Sequence, residues 1–231
     1  MDDHGAIIQG DLSKKQIALV FTGDEFADGG EIIMDVLNGN NVKASFFLTG
    51  NFYKTPAFNA MIKRLKNDGH YLGAHSDKHL LYADWTKRDS LLVTRDQFRK
   101  DLRRNYKRMK SFGIKKADAH YFLPPYEWYN KSIASWTNEM GLTLVNFSPG
   151  TRSAADYTYP EMSAYKTSEE IYNSIMNYEK QSSHGLNGFI LLTHIGTDSR
   201  RSDKFYLRLD ALIKELKNKG YSLIRINELL E

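Results

Sequence analysis

Tyr71-Leu72-Gly73-Ala74-His75-Ser76-Asp77-Lys78-His79 is a short apolar run that opens directly onto two histidines four positions apart. A continuous apolar run suits a strand covered on both faces. Polar, chemically capable residues at its carboxyl end are what a parallel sheet or β/α barrel places at its working face. Histidines at this spacing can face the same way on one turn of helix and present two ring nitrogens to a metal ion at about 2.0–2.1 Å. They can equally be surface or packed residues, and the bare spacing leaves those readings level.

The rest of the chain repeats the pattern. Apolar runs at 16–21, 42–48, 142–146, 189–192 and 221–225 read as strands. Segments with helical spacing lie between them, at 31–37, 56–67, 95–112, 130–140, 168–178 (N-capped by Thr167) and 203–219. Strand–helix alternation of this kind predicts an α/β fold with a parallel sheet or a β/α barrel. Neither repeats nor linkers interrupt it, so residues 1–231 are expected to form one domain. Two more polar clusters fall at strand ends, Thr22-Gly23-Asp24-Glu25 after the first and Thr193-His194 after the 189–192 strand.

Composition narrows the possible functions. With no cysteine, a metal can be held only by His, Asp or Glu, and disulfides are excluded. The net charge of +4 is spread, and its densest stretch, residues 100–110, reads as the solvated face of a helix. No motif for nucleic acid accompanies it, and none is expected as a partner. No run approaches the roughly 18 apolar residues of a membrane span. The polar start Met1-Asp2-Asp3-His4-Gly5 lacks a signal-peptide pattern, which fits either a cytoplasmic chain or one that follows a removed leader or an upstream domain. Aromatic residues make up 13% of the chain, enough to build a core and still line a sugar groove.

Together these pieces resemble the polysaccharide deacetylase family (carbohydrate esterase family 4, the NodB-homology domain), from about Gln16 to Glu231. The resemblance implies a distorted (β/α) barrel of the NodB-like type. It also implies hydrolysis of N- or O-acetyl groups on chitin-like, peptidoglycan or xylan polymers, and an extracytoplasmic (periplasmic or secreted) setting. His75-Ser76-Asp77-Lys78-His79 matches the family's His-Ser/Thr-x-x-His motif, whose histidines bind the metal, and Ser76 would tether the loop. Leu191-Leu192-Thr193-His194 matches the last motif and makes His194 the general acid.

The first motif, usually Thr-Phe-Asp-Asp-Gly, is altered. Strict register puts Thr22 at the base position and Gly23 at the metal position. A shift of one residue makes Asp24 the metal ligand and Glu25 the candidate base; the reverse assignment of the two is the weaker alternative. The third motif, usually Arg-Pro-Pro-Tyr, reads Leu123-Pro124-Pro125-Tyr126. Its arginine orients the base, so the two departures belong together: leucine avoids an unpaired buried charge. Pro125 and Tyr126 would shape the groove wall and Trp128 would stack on sugar. The family's Asp-Trp motif is either matched by Asp156-Tyr157 or lost, and nearby Arg152 is a candidate replacement cation.

The implied cofactor is a divalent metal, zinc for preference, with cobalt, nickel or iron also suited to two His and one carboxylate. The implied partner is an acetylated poly- or oligosaccharide. Two other functions stay open: a metal-dependent amide or ester hydrolase on another substrate, and a catalytically inactive glycan-binding member of the family.

Overall fold

A computed structural model describes residues 1–231. Its element order is β1 (Gln16–Gly23), α1 (Gly30–Gly39), β2 (Ser45–Leu48), α2 (Gly50–Lys54), α3 (Asn59–Asn67), β3 (Tyr71–Ala74), α4 (Arg95–Ser111), β4 (Tyr121–Phe122), α5 (Lys131–Glu139), β5 (Thr143–Leu144), α6 (Ser168–Gln181), β6 (Phe189–His194), α7 (Leu209–Asn218), β7 (Ser222–Ile224) and α8 (Ile226–Leu230). All strand pairs are parallel, in the order β5-β4-β3-β2-β1-β6, with β7 beside the first half of β1. The sheet curls with helices around it, the distorted (β/α) barrel expected from the sequence. No helix is long and apolar enough to cross a membrane.

Side chains alternate along each strand, and the two faces enter two separate apolar clusters. Ile17, Leu19 and Phe21 of β1 pack outward with the helices. Ala18 and Val20 face the inside of the curl, with Phe47, Tyr71, Tyr121, Leu123, Ile190 and Leu192. Gly73 is required there, because a Cβ on it would lie 2.4 Å from the Phe47 ring. Helix α8 plugs the amino end of the barrel through Ile226 and Leu229. Continuing the alternation, Thr22 faces inward at the carboxyl end, where the polar clusters gather.

Strands β5 and β6 do not pair. The gap is spanned by the amino-terminal segment, with bridges from Ile7 to Val145 and from Gln9 to Phe189. Ser148 locks this closure: its hydroxyl donates to the Ile8 carbonyl (2.5 Å) and accepts from the Ile190 N–H (2.9 Å). Ser148→Ala would leave the Ile190 N–H buried without a partner. Urea denaturation should show a loss of about 1–3 kcal/mol; an unchanged midpoint would mean that the closure is not held there.

Predicted and observed boundaries differ where local geometry tightens. The 56–67 and 203–219 segments each open with a 3₁₀ turn, Pro56–Phe58 and Phe205–Arg208, before the α-helix. Thr167 caps α6 as expected, in a capping box with Glu170.

Candidate active site

The histidine pair does not lie on a helical turn. Residues 75–80 form a loop, with Ser76 (φ 71°) and His79 (φ 53°) in the left-handed region. The loop exchanges helical hydrogen bonds for side-chain partners. Asn105 of α4 accepts from the His75 N–H (3.1 Å), and the Asp101 carboxylate accepts from Asp77 and Lys78 N–H (3.1 Å each). Ser76 does tether the loop, its hydroxyl accepting from the His79 N–H at 2.8 Å. Arg108 pairs with buried Asp77 at 2.6 Å. The ring centroids of His75 and His79 come to 5.1 Å by this route rather than by helical periodicity.

Each imidazole is set by its surroundings. His75 Nδ1 lies 2.8 Å from the Leu123 carbonyl, which can only accept, so the proton sits on Nδ1 and Nε2 keeps its lone pair. Burial, with the charges of His79 and His194 behind it, holds His75 well below the usual imidazole range. Burial also lowers His79, against the opposing charge of Asp24. The Asp24 Oδ1 accepts from Thr49 (2.7 Å) and Asn51 (3.1 Å), and its Oδ2 lies 4.0 Å from His79 Nδ1.

Across the cavity stands His194, at the end of β6. Its Nδ1 is 2.6 Å from Asp156 Oδ1, and its backbone N–H donates to Asp156 Oδ2 (2.9 Å). Burial disfavours the charged ring, but the charge and hydrogen bond of Asp156, with Glu127 behind them, outweigh it and raise His194 above its ordinary value. Tyr157 packs edge-on against the ring, 5.2 Å between centroids. Asp156 and Tyr157 thus both contact the His194 ring.

Asp24, Glu25, His75, His79, Tyr126 and His194 all line one cavity of about 530 Å³. Glu25 is exposed at its rim. Pro125 is buried beneath the Tyr126 turn, and Trp128 and Arg152 line a neighbouring groove instead. The face of Trp128 is covered by the Arg88 guanidinium at 4.0 Å. The exposed indole at the cavity is Trp85, which the sequence reading passed over and which leans on Tyr126 at 5.7 Å.

Two altered motif positions acquire physical reasons. A side chain at position 23 would start 2.7 Å from Ile195 and 2.9 Å from Leu48, so no carboxylate fits at Gly23 without repacking, and the next residue, Asp24, lines the cavity in its place. Leu123 is wholly buried in the apolar interior, where a guanidinium would have no partner.

Two neutral imidazoles and a carboxylate are the kind of donor set that zinc takes. The sequence reading has them converging on one ion. The structure brings them to one cavity, but no three His, Asp or Glu side chains close into a ligating group. The donors fit in chemistry, with Asp24 Oδ1 engaged by Thr49 and Asn51 and its Oδ2 on the side of His79.

Comparison with known proteins agrees with this architecture. The polysaccharide deacetylase sequence profile matches residues 9–145. The peptidoglycan-N-acetylmuramic acid deacetylase PdaA of Bacillus subtilis is 26% identical over 238 residues, spanning 100% of this chain and 77% of its own. Its solved structure superposes with a TM-score of 0.73, covering 97% of this chain and 84% of that one at 25% identity. A family 4 carbohydrate esterase pseudoenzyme from Bacillus anthracis shares the fold, with a TM-score of 0.76 at 19% identity over 100% of this chain and 70% of its own. Fold and profile lead to one assignment: the chain belongs to the polysaccharide deacetylase family.

Proposed function

We propose that the chain is a metal-dependent deacetylase that removes acetyl groups from a chitin-like, peptidoglycan or xylan glycan outside the cytoplasm. The observation that carries this reading is the His194–Asp156 pair, poised as a proton donor across one cavity from the neutral His75 and His79. Similarity to PdaA, named for action on peptidoglycan, supports the substrate class and the extracytoplasmic setting.

Asp24, His75 and His79 would hold the ion, zinc for preference, whose chemistry is to polarise the acetyl carbonyl and lower the pKa of a water. The remaining work falls to the chain itself. Leu123 fixes the His75 tautomer through its carbonyl, and Tyr126 and Trp85 offer aromatic faces to a sugar at the mouth. Water adds to the acetyl carbon. The bond from that carbon to nitrogen or oxygen then breaks, and protonated His194 delivers its proton to the leaving atom. Asp156 keeps the ring in the donating orientation throughout.

A second reading, a glycan-binding member without catalysis, is favoured by Thr22 and Leu123 at the positions of the family's base and its arginine. A family 4 carbohydrate esterase named as a pseudoenzyme has the same fold, which supports this reading. Metal-loaded protein should release acetate from at least one of an N-acetylglucosamine oligosaccharide, peptidoglycan or acetylxylan. Binding without acetate on all three would favour the second reading, and turnover only of small-molecule esters or amides would point to a different hydrolase.

A further inference from the structure

The turn after β4 contains two successive non-glycine residues in the left-handed region, Tyr126 (φ 60°) and Glu127 (φ 54°). Glycine adopts that region freely, whereas side-chain-bearing residues there cost free energy and collect at functional sites. The conformation is held from both sides: the Glu127 N–H donates to the Pro124 carbonyl (3.1 Å), and Asn146 donates to the Glu127 carbonyl (3.0 Å). Glu127 lines the same cavity as His194 and also borders the neighbouring groove. Its carboxylate has no hydrogen bond and no ion pair within the chain, unlike Asp24, Asp77, Asp101 and Asp156, which are all engaged. An unpartnered, half-buried acid held in a costly conformation calls for a use.

We infer that Glu127 is the general base of this site, taking the proton of the attacking water in place of the carboxylate that Thr22 no longer supplies. The inference rests on the deacetylase reading. Water loses a proton to the Glu127 carboxylate as its oxygen bonds to the acetyl carbon. The bond to the sugar nitrogen or oxygen breaks, His194 gives its proton to that atom, and acetate departs. Glu127 returns the captured proton to solvent and His194 regains one, so the balance is hydrolysis alone.

The electrostatics suit the role. Burial raises Glu127 to about 7, with the charge of Asp156 adding and that of His194 opposing. A base of that strength accepts a proton far more readily than an ordinary carboxylate, and about half of it is ionised at neutral pH. The other charged or titratable acids and bases lining these spaces are Asp24, Glu25, His75, His79 and Asp198 in the cavity, and Asp2, Arg88, Arg152 and Lys166 in the groove. Glu25, exposed at the rim, has no comparable setting.

The test is Glu127→Gln, nearly isosteric, assayed for acetate release from the N-acetylglucosamine oligosaccharide, peptidoglycan and acetylxylan beside wild type. The expected result is a fall in kcat of about 10²–10⁴-fold with little change in KM, and loss of the acid limb of the pH profile. Formate added to Glu127→Ala should restore part of the rate. Active wild type with an unimpaired Glu127→Gln, or a rise in KM alone, overturns the base and leaves the deacetylase. Wild type inert on all three substrates overturns both.

A thermal melt separates folding from chemistry. A carboxyl raised in the fold ionises first in the unfolded chain, so it lowers stability progressively as pH climbs from about 4.3 to about 7. Glu127→Gln should therefore melt higher than wild type at pH 8 and alike at pH 4. A lower melting point at both pH values would assign Glu127 a structural role instead.

Discussion

His194→Ala is expected to lower kcat for acetate release by about 10²–10⁴-fold, the usual worth of a positioned proton donor, with KM little changed. The expectation follows from where the ring stands. Its Nδ1 is engaged by one oxygen of buried Asp156 while the other oxygen holds the His194 backbone N–H, and Tyr157 packs against the ring, so one ring nitrogen is left for the cavity. Asp156→Asn makes the sharper variant, because it keeps the volume and removes the charge that raises His194. The donor works while protonated, so activity is lost as pH rises through its pKa. With Asp156 neutralised that pKa falls, and the alkaline limb of the kcat profile should move to lower pH. A limb that stays in place would mean that His194 is not the donor. The same pair contributes to stability below the ordinary imidazole pKa of about 6.5, and that contribution fades as pH climbs through the raised folded value.

The second large effect concerns the metal. His75→Ala removes the imidazole whose tautomer is already fixed and whose neutrality burial enforces. Zinc added to wild type should appear in elemental analysis at one ion per chain and raise the melting temperature, since a ligand bound only by the folded state stabilises it by mass action. His75→Ala should bind substantially less and lose the thermal shift, whatever its activity. Equal zinc retention by the variant would remove His75 from the ligand set.

Much of this was legible from residue patterns because the fold is built from buried parallel strands. Residues 17–21, 71–74 and 189–192 are apolar without interruption, and each hands the chain to a polar cluster at the working face. Elements too short to carry a period escaped: the two residues of β4, and the five-residue helices α2 and α8. The barrel's closure by Ile7 and Gln9 escaped as well, because an isolated bridge leaves no trace in hydrophobic spacing. The histidine spacing suggested a helical turn, yet Asp101 and Asn105 of a distant helix satisfy the loop's amides instead, a tertiary effect that local sequence does not encode.

The chemistry divides the same way. Asp156 and His194 could be found from their motifs. Glu127 could not, since neither periodicity nor the Pro-Pro-Tyr motif gives that position a task. The one available signal was an acid directly after Pro124-Pro125-Tyr126. Arg88 covers the face of Trp128, whereas Trp85 stays exposed at the cavity, a difference that spacing in the sequence does not carry.

The central claim is that the groups of this cavity act together in hydrolysis. It is tested most directly by measuring acetate from zinc-loaded wild type acting on N-acetylated glycan, alongside His194→Ala and a chelated sample. Acetate from the wild type alone, with both comparisons reduced at least a hundredfold, is the expected result. Equal acetate from all three, or none from the wild type at any pH between 5 and 9, would contradict it.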